Sequence, residues 1–125
     1  MIAGLLDTAV LVDLLRAYPP AEGWLSRQSH LGVTPVVWLE IIEGAANLRA
    51  QARAVDLLRH FEKVDLSSTD FDWSVRQALQ FRLSHNVGMM DCLIASTAHR
   101  ISVPLYTPNL KHFSPILGSL AVKPY

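Results

Sequence analysis

The chain has 125 residues, half of them hydrophobic and 18% charged, with eleven basic residues balancing eleven acidic ones. It is too apolar for a disordered linker and fits one domain over residues 1–125, and its neutral balance excludes broad electrostatic attraction to nucleic acid, so any such contact must be local. A single cysteine, Cys92, excludes an internal disulfide and a cysteine-based zinc cage and fits a reducing compartment.

The start lacks a basic region and carries Asp7 and Asp13, which makes it a poor signal peptide. No apolar run approaches the roughly 20 residues that span a bilayer, so the expectation is a cytoplasmic protein without membrane contact.

In chain order, "IAGLL" reads as a short buried strand and "TAVLVDLLRAY" as a helix that stops at Pro19 and Pro20. "AEGWLSRQ" is a further short helix and "HLGV" a second strand. Thr34 and Pro35 then look like the N-cap and first position of a helix through "VVWLEIIEGAANL", continued by "RAQARAVDLLRHFE". "KVDL" gives a third strand, and "SSTDFDWSVRQALQFRLSHN" opens with capping residues before a long amphipathic helix. "MMDCLIASTAHRI" is another helix, "VPLYT" a strand and "LAVKP" a last short one. Strands alternating with helices predict a doubly wound parallel α/β sheet, whose ligands bind beyond the carboxyl ends of the strands where strand order reverses.

Three acids stand at or near element ends in apolar surroundings. Asp7 follows the first strand, Glu40 lies in a helix that is apolar nearly all round, and Asp91 opens the helix after Gly88. Each has an ordinary explanation: Asp7 as a helix cap, Asp91 as a first-turn acid, Glu40 as the partner of an arginine. Taken together they suggest one oxygen-rich site for a hard divalent cation, since clustered carboxylates repel one another and Mg²⁺ or Mn²⁺ relieves that repulsion. Such a cation activates water and stabilises charge on a phosphoryl oxygen, the chemistry of phosphodiester hydrolysis.

The segments "LLDTAVLVDLLR", "WLEIIEG", "MMDCLIASTAHR" and "LYTPNLKHF", in this order and spacing, resemble the PIN-domain ribonucleases, specifically the VapC-type toxins of toxin–antitoxin pairs. The resemblance spans nearly the whole chain. It implies a three-layer α/β/α sandwich with a parallel five-stranded sheet of order 3-2-1-4-5, an Mg²⁺- or Mn²⁺-dependent endoribonuclease acting on tRNA or rRNA, a homodimer, and a VapB-like antitoxin that neutralises it. It places Asp7, Glu40 and Asp91 as metal ligands, with Thr107 and Asn109 positioning water or phosphate, and Thr8 and Glu43 supporting the ligands from behind. Asn109 departs from the fullest pattern, in which an acid often stands there, and Ala9 replaces a frequent polar residue.

The five histidines show no metal-ligand spacing, and only His112 falls beside the expected site, where a surface role competes with phosphate contact. Cys92 reads as core packing, and Trp24, Trp38 and Trp73 as core or dimer-interface residues. Solvated helix faces account for most of Arg49, Arg53, Arg59, Arg76, Arg82, Arg100 and Lys111, leaving a minority near the acids as phosphate contacts. Two rivals to the nuclease remain: a catalytically silent PIN-like module that binds RNA or protein, and a small-molecule phosphatase, which would want an Asp-x-Asp motif where position 9 is alanine.

Overall fold

The computed structural model describes the chain from Met1 to Tyr125. Gly4–Leu6 (β1) and Leu31–Val33 (β2) are buried along their whole length, as apolar strands are when helices cover both faces of a parallel sheet. Glu62–Lys63 (β3), Leu105–Tyr106 (β4) and Ala121–Val122 (β5) complete a five-stranded sheet of order β3-β2-β1-β4-β5, and every pairing is parallel.

The connections follow from that order. From β1 the chain moves outward through β2 to β3, carrying Thr8–Leu15 (α1), Pro19–Leu25 (α2), Pro35–Gly44 (α3) and Leu48–Leu58 (α4). It then returns past β1 to β4 and β5, carrying Ser68–His85 (α5), Met89–Ile101 (α6) and Leu110–Leu117 (α7). Because parallel crossovers are right-handed, the reversal puts α1–α4 on one face and α5–α7 on the other. The result is an α/β/α sandwich whose switch point lies between β1 and β4. Leu5, Leu6, Val33, Leu105, Leu58 and Phe113 are among the fully buried side chains at its centre. No helix is long and apolar enough to cross a membrane.

Several elements differ from expectation. The helix after Thr34 stops at Gly44, and Asn47 starts α4 afresh by accepting a hydrogen bond from the Ala50 N–H at 2.8 Å. The first helix ends at Leu15, with Ala17 in the left-handed region at φ 56°. Strand β3 lies slightly earlier than "KVDL". Helix α7 was hidden by its internal Pro115. On α5 the i, i+4 row Phe71, Val75, Leu79 and Leu83 faces outward, with Leu79 81% and Leu83 100% exposed, while Trp73 and Ser74 face the core.

The start of α5 holds a buried carboxylate that the sequence did not single out. Asp70 completes a capping box with Ser67, and Arg100 Nε on α6 donates to both its oxygens at 2.9 and 3.1 Å. Burial alone would raise its pKa, but the Arg100 hydrogen bond and charge, with the Ser67 contacts, hold it below the ordinary value. A depressed acid contributes stability above its unfolded pKa and loses it as pH falls through the folded one, so this tie weakens in strong acid. Asp70→Ala is expected to cost about 2 kcal/mol or more by urea denaturation at neutral pH, since it removes a cap and leaves Arg100 without its carboxylate. A loss under 0.5 kcal/mol, on the order of an inert surface change, would contradict the assignment.

Candidate metal and phosphate site

Asp7, immediately after β1, and Thr107, immediately after β4, face each other across the switch point. The two strands are in register there, Leu6 pairing with Tyr106, and the Asp7 N–H donates to the Tyr106 carbonyl at 3.0 Å. Thr107 Oγ1 donates to Asp7 Oδ2 at 2.8 Å and accepts the Asn109 N–H at 2.9 Å. Asp7 occupies the N-cap position of α1 but makes no side-chain cap bond, so the helix-cap explanation does not account for it.

Glu40 comes from α3 and pairs with no arginine. Its Oε1 accepts the Thr8 hydroxyl at 2.6 Å, which ties α3 to the first residue of α1. Asp91 lies in the first turn of α6, and its carboxylate folds back over Gly88: a Cβ at that glycine would stand 3.2 Å from Asp91 Oδ2. Glycine at 88 therefore leaves room for the acid. His112, on α7, reaches the same oxygen through Nδ1 at 3.3 Å.

These side chains surround a recess of about 360 Å³ lined by Asp7, Thr8, Asp13, Glu40, Asp91 and Asn109, among others. Asp7 is 4% exposed, and burial, the neighbouring charges of Asp91 and Glu40, and the opposing Thr107 bond together lift its pKa from 3.8 to about 6. Burial is the largest of these causes.

No three His, Cys, Asp or Glu side chains are placed so that together they could hold a metal ion. Donors of carboxylate oxygen, mutually repelling and open on one side, nevertheless fit a hard cation such as Mg²⁺, which keeps several waters and takes only one or two carboxylates directly. Soft ligands are absent: Cys92 is buried, and burial raises its thiol pKa.

The structure also revises some expected placements. Thr107 is fully buried and engaged by Asp7, so it holds the carboxylate rather than facing water or phosphate itself. Glu43 is exposed and lines an adjoining groove with Glu40, away from the recess. Thr8 stands behind Glu40 as expected, and Asn109 borders the recess with its side chain making no cap bond. Missing from the expected set were Asp13, which borders the recess four residues before Ala17, and Gly88, whose role shows only once its neighbour's carboxylate is in place.

The family model of the PIN domain matches residues 4–111. No curated protein matches the chain. Among solved structures it is similar to a chain of the toxin–antitoxin complex from Klebsiella pneumoniae, at 24% identity and a TM-score of 0.76 with 98% of each chain covered. It is also similar to a chain of DNA-bound VapBC from Salmonella typhimurium, at 22% identity and a TM-score of 0.76, covering 94% of this chain and 95% of that one. A third similarity is to VapBC2 from Rickettsia felis bound to a promoter DNA fragment, at 21% identity and a TM-score of 0.73, covering 91% and 92%. At these identities the likeness concerns the fold.

An acid whose folded pKa of about 6 exceeds its unfolded 3.8 holds its proton more tightly when folded, so stability falls as pH rises between those values. Metal-free protein is expected to lose about 3 kcal/mol from this group over that window, and Asp7→Asn to flatten the loss. Urea denaturation in chelator at a series of pH values reads both, and parallel profiles for the two proteins would contradict the placement of Asp7.

Proposed function

Because the chain belongs to the PIN domain family, we propose that it is a metal-dependent endoribonuclease, the VapC-type toxin of a toxin–antitoxin pair that acts in the cytoplasm. The observation that carries this is the gathering of Asp7, Glu40 and Asp91 around one recess at the sheet's switch point, with the pKa of Asp7 raised. A buried carboxylate without a cation partner is costly for a fold and useful at a site that waits for a metal. The structural neighbours, chains of toxin–antitoxin complexes, support a VapB-like antitoxin as partner; RNA, tRNA or rRNA, is the substrate that the proposed nuclease activity implies.

In this reading Asp7, Glu40 and Asp91 hold Mg²⁺ or Mn²⁺, which supplies an activated water and neutralises charge on the scissile phosphate. The chain's own residues keep the carboxylates aimed. Thr107 fixes Asp7, Thr8 fixes Glu40, and His112 restrains Asp91. Asn109, uncharged, offers an amide to a phosphate oxygen without adding to the repulsion among the acids.

The absence of three side chains placed to hold a metal ion, together with Asn109 at a position where related toxins often have an acid, favours one rival, the catalytically silent module. Total cellular RNA incubated with antitoxin-free protein separates the two. The nuclease predicts discrete fragments with Mg²⁺ or Mn²⁺, none with EDTA, and a loss of about a hundredfold or more in Asp7→Asn. RNA left intact by folded, metal-loaded protein would establish the silent module instead.

A homodimer belongs to the same proposal, supported by the outward row of Phe71, Val75, Leu79 and Leu83, beside Met89 on α6. Such a row is apolar beyond what an isolated helix face tolerates. Light scattering should give twice the chain mass for the wild type and a single chain for the Leu79→Glu, Leu83→Glu double variant; a monomeric wild type would overturn the dimer.

A further inference from the structure

A second depression, of about 310 Å³, opens between α1, α3 and α4. It shares Thr8, Val12 and Glu40 with the carboxylate recess, so the two form one continuous surface. Two arginines stand on it, Arg16 from the end of α1 and Arg53 from α4. The rest of the wall is largely apolar, with Val12, Leu15 and Ile41 beside the small residues Gly44, Ala45 and Ala50, so the two arginines supply the groove's positive charge.

We propose that this groove carries the RNA strand leading away from the cleavage site, with Arg16 and Arg53 each holding a backbone phosphate. The inference rests on the nuclease reading and names the substrate contacts of that same site.

Charge decides the occupant. The chain as a whole is neutral, so a place where guanidinium groups from two helices meet on one groove is a local departure from the average. The one carboxylate lining the groove is Glu40, assigned above to the cation. With a divalent cation in the recess, recess and groove both attract phosphate. A guanidinium presents a planar fork of donors that suits phosphate oxygens.

Neither arginine is committed elsewhere at a cost that would prevent this. Arg16 pairs with Asp13 at 3.4 Å through a side chain that is 66% exposed, a tie worth little in water. Arg53 donates through Nη2 to the Leu15 carbonyl at 3.2 Å, which anchors one nitrogen at the end of α1 and leaves its other donors free. That bond holds the guanidinium at the C-terminal end of α1. An apolar protein segment would leave the remaining donors of both arginines unpaired, and a basic one would be repelled by them.

The test measures binding of a mixed-sequence single-stranded RNA oligonucleotide to full-length protein in Mg²⁺, over a series of salt concentrations. Asp7→Asn serves as the non-cleaving background, with Glu40→Gln as a second. Arg16→Gln with Arg53→Gln should weaken binding about equally for unrelated sequences and reduce the slope of log affinity against log salt by about 1.4, two phosphate contacts at about 0.7 each. Arg16→Gln alone, which breaks no bond to the backbone, should remove about half of that, and Arg76→Gln, on exposed α5, none. An unchanged slope in the double variant while the background binds RNA overturns the groove assignment alone and leaves the groove to a protein segment. Wild-type protein that neither binds nor cuts the RNA in Mg²⁺ overturns the nuclease reading with it.

Discussion

The bond from the Thr107 hydroxyl to the Asp7 carboxylate joins the ends of β1 and β4, and the geometry of the site depends on it. Those strands are neighbours only because the chain reverses direction between them, and a reversal leaves a crevice at the carboxyl edge that no crossover helix fills. Asp7 sits in that crevice as the continuation of a fully buried strand. Its carboxylate is therefore largely withdrawn from water before any ligand arrives. One neutral hydroxyl orients it without cancelling its charge, and the raised pKa is the energetic record of that incomplete compensation.

The contrast with Asp70 shows that burial alone does not make a site. Both aspartates are nearly inaccessible, at 4% and 2% exposure, yet their pKa values move in opposite directions. Asp70 has a guanidinium on both oxygens and a capping box behind it, so its ionised form is satisfied within the fold. Asp7 has a hydroxyl and two repelling acids. The first carboxylate ties α5 to α6; the second leaves an electrostatic demand that no cationic side chain of the fold answers. In the same way Thr8 serves Glu40 and His112 serves Asp91, so each acid is aimed by a separate element while the charge of the group stays largely open.

The sandwich keeps its surfaces apart. On the α1–α4 side, the carboxylate recess runs into a groove flanked by Arg16 and Arg53. On the α5–α7 side, an apolar row on α5 turns to solvent, where the core can no longer cover it. A neutral chain thus separates its charge and hydrophobicity by face, and these local departures rather than the average composition carry the chemistry.

The strand order came only with the family resemblance that the motifs carry, whereas the sequence by itself determined the alternation of strands and helices, hence the α/β class, and marked the three acids near element ends. Those rest on local signals: apolar runs, capping residues, and carboxylates where apolar neighbours should stand. Only the tertiary structure decided what depends on residues distant along the chain. It moved Thr107 from the substrate side to the support of Asp7, and turned Glu43 away from the recess. It ended α3 at Gly44, because Asn47 offered α4 a better start. It also turned Leu79 and Leu83 outward, although their spacing is the same as that of a core-facing row, since helical periodicity says which residues share a face and not which face the sheet receives. Arg16 and Arg53 belong to helices far apart in sequence, and packing of α1 against α4 is what brings them to one groove.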